Sequence, residues 1–156
     1  MPFLQAADVV ELAMQLEKTG EAFYRAVAGK ARSAPVRALF EDLAAQEVKH
    51  YQVFSELGRR VREKPLMTDD EWAQYVEYLK AMVAGAFFEG PQTALAAARG
   101  LKDEKAAARA AIGFEKETLL FFYDLRDAVG EADREFVDRV LAEEKSHIRR
   151  LAALVG

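Results

Sequence analysis

The chain contains no cysteine among its 156 residues. This absence excludes disulfide bonds, a thiol nucleophile, and any zinc or iron–sulfur site that depends on thiolate ligands. Basic residues are not in excess either, since the net charge is -4 and the pI is about 5.3. The chain therefore lacks the basic surface that is typical of nucleic-acid-binding proteins, and we expect no nucleic-acid partner.

Long hydrophobic runs are also missing. The longest apolar run, residues 81–88, is far shorter than the roughly 20 residues that a membrane-spanning helix needs. The first ten residues include Asp8 and show no basic segment before an apolar stretch, so they do not form a signal-peptide pattern. We expect a cytoplasmic protein with no membrane association.

What the sequence does contain is typical of a soluble globular protein, with 51% hydrophobic and 31% charged residues. A chain of this length buries about 70% of the surface that its unfolded form exposes. We therefore expect residues 1–156 to form one domain with a substantial core.

Apolar residues recur at helical spacing in four long stretches. These cover approximately residues 6–30, 33–58, 102–129 and 131–154. Short links around Arg32 and Gly130 predict two antiparallel helical hairpins. Ser33 is expected to cap the second helix, and Gly58 is expected to end it.

A long connection separates the two predicted hairpins. Thr68-Asp69-Asp70-Glu71 has the pattern of a capping box, which predicts an extra helix from there to about Phe88. The stretch from Pro91 to Arg99 suggests a further short helix. The expected fold is all-α: an antiparallel four-helix bundle of two helical hairpins, joined by a long crossover that contains an extra helix.

The chain has only two histidines, and each follows a glutamate by three residues, in Glu47–His50 and Glu144–His147. Residues three apart on a helix lie one turn apart on the same face, so both side chains of each pair can reach one metal ion. The two Glu-x-x-His motifs are therefore candidate metal-binding motifs.

Two further glutamates, Glu17 and Glu115, interrupt the apolar faces of the first and third long helices. They are 98 residues apart, and the two Glu-x-x-His motifs are 97 apart, which indicates a degenerate internal repeat. Each of the four glutamates lies fourteen or fifteen residues from the turn of its own hairpin. This corresponds to about 21 to 22 Å along the helix, so all four carboxylates are expected at one level of the bundle.

Four buried carboxylates that face one another need cations or protons to be tolerated. Oxygen-rich ligands with two imidazoles suit iron or manganese better than tetrahedral zinc. We predict two divalent metal ions per chain, either iron or manganese by this ligand chemistry. The predicted ligands are Glu17, Glu47, His50, Glu115, Glu144 and His147. We expect the glutamates of the two motifs to bridge the ions and the other two to be terminal.

These residues resemble the rubrerythrin branch of the ferritin-like superfamily. The resemblance rests on Leu16-Glu17-Lys18 with Phe23-Tyr24, on Leu43 to His50, on Ala111 to Tyr123, and on Glu143 to His147. It implies a ferritin-like bundle with a non-haem di-iron site that reduces hydrogen peroxide. The expected cofactor is therefore two iron ions per chain, with manganese or zinc as substitutes. It also implies tyrosines near the carboxylates, at Tyr24 and Tyr123.

The chain departs from the rubrerythrin pattern at two points. It has no Cys-rich rubredoxin domain, so the resemblance implies an external electron donor such as a rubredoxin-like protein. The family also often has a second glutamate three residues after the ligand on the third long helix, which here is Glu115. In this chain that residue is Thr118. A threonine there makes the predicted ligand set more symmetric, as in ferritin or bacterioferritin.

Four other polar residues are candidates for supporting the ligands. Tyr24 lies two turns after Glu17 on the same face and is expected to hydrogen-bond to it. Gln46 and Glu143 each precede a motif glutamate, and either could hold the Nδ1 proton of a histidine across the bundle or be an ordinary solvated residue. Glu21 is expected to be exposed or to support the ligands rather than bind metal.

The expected function is that of an oxidoreductase that reduces hydrogen peroxide or dioxygen with electrons from an external donor. The alternatives are a ferroxidase for iron storage or handling, and a non-catalytic bundle that metal stabilises. Aromatic and apolar residues of the crossover are expected to pack internally, or else to form a homodimer surface. They are Trp72, Tyr75, Tyr78, Met82, Phe87 and Phe88.

Overall fold

The computed structural model describes residues 6–61, 68–84 and 90–156. Its helices in chain order are α1 (Ala6–Lys30), α2 (Ala34–Val61), α3 (Asp69–Ala84), α4 (Pro91–Gly100), α5 (Glu104–Ala128) and α6 (Arg134–Val155). A 3-10 turn at Glu131–Asp133 precedes α6. The described residues contain no β-strand. The predicted all-α fold is confirmed.

The four long helices pair as predicted, α1 with α2 and α5 with α6. Links of a few residues force each pair to run antiparallel. Helices α3 and α4 form the crossover between the two hairpins, and α4 packs against α1. Within the described ranges, every helix is too polar or too short to span a lipid bilayer.

Helix α2 does not end at Gly58, as the sequence suggests, but continues to Val61. Among the described glycines only Gly90 and Gly156 have a positive φ, so Gly58 stays in the right-handed helical region. A Cβ atom at position 58 would lie 3.3 Å from Val10 Cγ1. The glycine therefore allows α1 and α2 to approach closely and does not terminate the helix.

The capping box at the start of α3 is confirmed. Thr68 N–H donates to Glu71 Oε2 at 2.9 Å, and Glu71 N–H donates back to Thr68 Oγ1 at 3.3 Å. The predicted end of this helix, near Phe88, lies outside the described residues, as does Phe87. Helix α4 begins with Pro91 after Gly90, whose φ of 126° favours glycine.

Hydrogen bonds tie the two hairpins together at one end of the bundle. Glu104, the first residue of α5, accepts through Oε1 from the backbone N–H groups of Arg32, at 2.9 Å, and Ser33, at 3.1 Å. Lys30 Nζ donates to the carbonyls of Ala98, Arg99 and Leu101, at and just after the end of α4. The turn of the first hairpin is thus fixed to the second.

An ion pair joins the two hairpins at the other end of the bundle. Arg60 Nε, near the end of α2, donates to Asp133 Oδ1 at 2.8 Å. Asp133 is buried, whereas Arg60 is partly exposed and also lies over the ring of Phe136. The pair holds the end of the first hairpin against the turn of the second.

The interior contains two apolar clusters rather than one continuous core. The first surrounds Phe23, Phe40 and Phe114 near the 31–33 turn. The second surrounds Phe54 and Phe122 in the opposite half of the bundle. A layer of acidic and histidine side chains lies between them, so apolar groups close this polar layer from both directions.

Candidate metal centre

Six polar side chains meet in the layer between the two apolar clusters. One comes from α1, two from α2, one from α5 and two from α6, and each is at most 2% exposed. They are Glu17, Glu47, His50, Glu115, Glu144 and His147. The structure thus brings together all six residues that the sequence predicts as ligands.

Their donor atoms form two overlapping groups, each with all atoms within 4.8 Å of one another. We call them position A, formed by Glu17, Glu47, His50 and Glu144, and position B, formed by Glu47, Glu115, Glu144 and His147. Glu47 and Glu144 belong to both positions. The two imidazole rings stack across the layer, with ring centroids 5.5 Å apart and planes 19° apart.

In position A, the Nδ1 atom of His50 faces the carboxylates. It lies 3.0 Å from Glu144 Oε1, 3.5 Å from Glu17 Oε2 and 3.9 Å from Glu47 Oε1. Because three carboxylates converge on this one nitrogen, the outer nitrogen Nε2 is left free to contact other groups.

Position B repeats this arrangement around His147. Its Nδ1 atom lies 2.8 Å from Glu144 Oε2, and 3.4 Å from both Glu47 Oε1 and Glu115 Oε1. Each position therefore combines one imidazole nitrogen with three carboxylates, two of which it shares with the other position.

Many of these buried atoms make no hydrogen bond of suitable angle within the described part of the chain, including His147 Nδ1 and Glu144 Oε2, which lie 2.8 Å apart. They are Glu17 Oε1 and Oε2, Glu47 Oε1, Glu115 Oε2, Glu144 Oε2 and His147 Nδ1. A buried polar atom without a partner costs about 1–3 kcal/mol, so such a set is rarely left unsatisfied. Metal ions would satisfy these atoms together. The cluster fits the binding of two metal ions, and its oxygen-rich chemistry suits iron or manganese.

The charges in the metal-free cluster are distributed unevenly. Burial raises the pKa values of Glu17, Glu47 and Glu115 well above 4.5, and the charge of Glu144 raises them further. Burial also raises the pKa of Glu144, but close contact with the rings of His147 and His50 outweighs this and lowers it. The negative charge is therefore concentrated on Glu144.

The histidines complement this charge. Burial lowers the pKa of His50, but Glu144 outweighs that effect and raises the value to about 9. Burial has the same effect on His147, where Glu115, Glu144 and Glu47 raise the pKa to about 12. Without metal, protons therefore neutralise much of the carboxylate charge in the cluster.

Tyr24 is fully buried, and its hydroxyl donates to Glu115 Oε1. The expected partner, Glu17 on the same helix, is wrong. Seven residues correspond to about 10 Å of helical rise, and from that height the hydroxyl reaches Glu115 on α5. Burial and the charge of Glu115 raise the pKa of Tyr24, which keeps the hydroxyl protonated as a donor.

Glu143 also contacts a member of the cluster. His50 Nε2 donates to Glu143 Oε2 at 2.6 Å, and the Glu143 side chain is 44% exposed. The expected contact was with Nδ1, but that nitrogen faces the carboxylates. Gln46, the other candidate, interacts instead with Asp42, whose pKa it helps to lower and which also pairs with Arg150.

Tyr123 does not lie near the carboxylates. It is 40% exposed, and Lys145 Nζ lies over its ring at 5.3 Å. Eight residues separate Tyr123 from Glu115, which rotates it about 80° from the ligand face. Phe122, seven residues from Glu115, occupies the buried face instead.

Glu21 pairs with Arg25 at 2.8 Å near the surface. Its side chain is partly exposed, as one of the two expectations for Glu21 has it.

Gly20 was not recognised from the sequence. It lies between Glu17 and Tyr24 on the inner face of α1, and a Cβ atom there would be 3.1 Å from both Glu47 Cδ and Phe114 Cε1, and closer still to Glu47 Oε2. Its missing side chain makes room for the Glu47 carboxylate. A glycine within a long helix, three residues after a predicted ligand, is the signal that could have revealed it.

A four-helix bundle with buried glutamates and two Glu-x-x-His motifs has the architecture of the ferritin-like carboxylate proteins. The rubrerythrin family model matches residues 8–155, and the chain belongs to this family. No curated protein sequence matches the chain.

A solved structure supports the fold. A protein from Thermotoga maritima, described as a candidate ferritin-like diiron-carboxylate protein, is similar with a TM-score of 0.71 and 23% sequence identity. The match covers 99% of this chain and 97% of the other. At this identity the likeness shows the ferritin-like fold alone.

Proposed function

We propose that this protein binds two iron ions and is an oxidoreductase that reduces hydrogen peroxide or dioxygen with electrons from an external donor. The observation that carries the proposal is that Glu47 and Glu144 belong to both donor groups. Shared carboxylates are the arrangement expected of bridging ligands. Glu17 and His50 would complete position A, and Glu115 and His147 would complete position B.

A bound pair of redox-active ions supplies electrons to the oxidant and polarises its O–O bond. The protein contributes the surroundings. The apolar clusters on either side limit access of water. On one side the ring centroids of Phe54 and Phe122 are 4.8 Å apart, and on the other side those of Tyr24 and Phe40 are 5.9 Å apart. Tyr24 orients Glu115, and Glu143 orients His50.

The electron donor is proposed to be a separate protein, such as a rubredoxin-like protein. The chain has no cysteine and so cannot hold the thiolate-bound iron centre of a rubredoxin. A homodimer and a cytoplasmic location stay predictions from the sequence.

The first experiment tests metal binding. The purified chain is reconstituted anaerobically with Fe(II), and bound iron is measured after removal of excess metal. We expect two ions per chain, and a clear loss of bound iron in the Glu47→Gln variant. Glu21→Gln is the matched control, because Glu21 is also a helical glutamate but pairs with Arg25 at the surface. Unchanged iron content in Glu47→Gln would contradict the proposal.

The second experiment separates the reductase from the ferroxidase alternative. The reduced, iron-loaded protein is mixed with stoichiometric hydrogen peroxide or with dioxygen, and oxidation is followed by absorbance. Faster oxidation by peroxide, with no more than two irons retained per chain, supports a peroxide reductase. Faster oxidation by dioxygen at the same iron content supports a dioxygen reductase. Retention of many irons after repeated additions of Fe(II) and dioxygen supports a ferroxidase.

A further inference from the structure

The internal repeat pairs identical ligands but different neighbours. The offset of 98 residues that relates Glu17 to Glu115 also relates Tyr24 to Phe122. The offset of 97 that relates the two Glu-x-x-His motifs also relates Gln46 to Glu143. The residues that contact the ligands therefore differ between the two positions, although the ligands themselves do not.

Of the two terminal glutamates, it is Glu115 of position B that a neighbouring hydroxyl group contacts. The Tyr24 hydroxyl donates to Glu115, and the Tyr24 ring is fixed by packing against Phe23 and Phe40, with ring centroids 5.8 and 5.9 Å away. The equivalent residue, Phe122, has no hydroxyl and packs against Phe54. Consistent with this, neither oxygen of Glu17 has a hydrogen-bond partner among the described residues.

Of the two histidines, it is His50 of position A whose outer nitrogen contacts a carboxylate. Glu143 accepts from His50 Nε2, which fixes the ring with Nδ1 directed at the carboxylates. The equivalent residue, Gln46, interacts with Asp42, whose pKa it helps to lower. A carboxylate on the outer nitrogen fixes both the orientation and the tautomer of a ligand histidine.

We propose that the two metal positions are inequivalent and that each depends on its own positioning residue, Tyr24 acting on position B through Glu115 and Glu143 acting on position A through His50. This inference rests on the proposed binding of two metal ions. It goes further in stating that affinity at one position can be lowered while the other is left intact.

The test is a titration with Co²⁺, followed by calorimetry and by the visible d–d absorption of the bound ion, so that no enzymatic activity is needed. Four proteins are compared: the wild type, Tyr24→Phe, Glu143→Ala and the double variant. Loss of a residue that supports a ligand typically lowers metal affinity about 10- to 100-fold. We expect each single variant to retain one ion at wild-type affinity and to bind the second this much more weakly.

The double variant decides whether the two residues act on different positions. If they do, both ions bind more weakly in the double variant. If both residues support the same position, the double variant still binds one ion at wild-type affinity, and the inference is overturned. It is also overturned if either single variant weakens both ions equally. Failure of the wild type to bind Co²⁺ or Fe(II) would instead refute the proposed function itself.

Folding of the variants is checked by circular dichroism. Tyr24→Phe keeps the ring, and Glu143 is partly exposed, so we expect native helix content in both. Glu143→Gln provides a further check, because a glutamine oxygen can still accept from His50 Nε2. Glu143→Gln should restore most of the metal affinity lost in Glu143→Ala without a change in unfolding temperature. If Glu143 had a merely structural role, metal affinity and unfolding temperature would change together across the two variants. If Tyr24→Phe fails to fold, Glu143→Ala alone must still weaken one ion and spare the other.

Discussion

Gly20 lies against the carboxylate of Glu47, and a Cβ atom at position 20 would come within 3.1 Å of Glu47 Cδ. A glycine inside a helix is less favourable than alanine by roughly 0.5–1 kcal/mol. Its place in α1 is explained by the space that the shared carboxylate occupies.

Replacing Gly20 by alanine is expected to lower metal affinity by on the order of tenfold or more, because the added methyl group displaces a ligand carboxylate. The matched control is Gly29→Ala, since Gly29 is also in α1 but a methyl group there would have no atom within 4 Å among the described residues. That variant should bind metal normally and unfold at a slightly higher temperature. Both effects can be measured by metal titration and thermal unfolding, and equal affinity in the two variants would contradict the prediction.

The stability of the metal-free protein is expected to fall as the pH rises. The pKa values of Glu17, Glu47 and Glu115 are raised above 4.5, so the folded state keeps protons that the unfolded state releases above that pH. The pKa values of His50 and His147 are raised from 6.5 to about 9 and about 12, so their contribution is fully present below pH 6.5 and is lost progressively as the pH rises from 6.5 towards these folded-state values.

Thermal unfolding of the chelator-treated protein, measured at intervals from about pH 6 to about pH 9, checks this sign. The unfolding temperature should decrease across the whole range. The Glu21→Gln variant should show the same trend, because Glu21 lies outside the cluster. A constant or rising unfolding temperature would show that the carboxylates are already ionised in the metal-free protein.

Metal binding is expected to release protons. The ions bind ionised carboxylates and neutral imidazoles, whereas the metal-free cluster keeps several of these groups protonated. The rise in unfolding temperature on metal addition should therefore be larger at about pH 8 than at about pH 6. Calorimetric titration in two buffers with different ionisation enthalpies measures the protons directly, and identical heats in both would count against this.

The ion pair between Arg60 and Asp133 is expected to contribute more to stability than a surface pair. Asp133→Ala removes a buried carboxylate that joins the end of α2 to the turn before α6, so the two hairpins lose this connection. Asp138→Ala removes the exposed partner of Arg126, and exposed pairs contribute little. Thermal unfolding should show a clearly larger decrease for Asp133→Ala, and similar decreases would be the contrary result.

The sequence was sufficient to predict the two hairpins and the convergence of the six residues. The positions of these six residues are set by helical periodicity and by the distance from a short turn, both of which are local quantities. A spacing of three residues in Glu47–His50 fixes one face of a helix wherever that helix packs. The burial of Glu17 and Glu115 follows from their place on apolar faces.

The errors arose where contacts between helices decide the outcome. Gly58 looks like a helix terminator, but Val10 on the neighbouring helix explains it. Tyr24 has the right periodicity to face the cluster, yet its partner lies on α5 because the ring points across the bundle. The position of Tyr123 near the carboxylates rests on the resemblance alone. It lies one residue after Phe122, and that rotation of about 100° turns it away from the buried face of α5. None of these contacts can be read from the spacing within one helix.

The way the two hairpins share the two positions has a consequence for unfolding and metal release. An ion at position A would be held by three side chains of the first hairpin and by Glu144 of the second, and an ion at position B by three of the second and by Glu47 of the first. Each hairpin thus contributes one carboxylate to the ion that the other mainly holds. Separating the hairpins and releasing the ions would then be a single cooperative event, so metal loss and unfolding should share one transition.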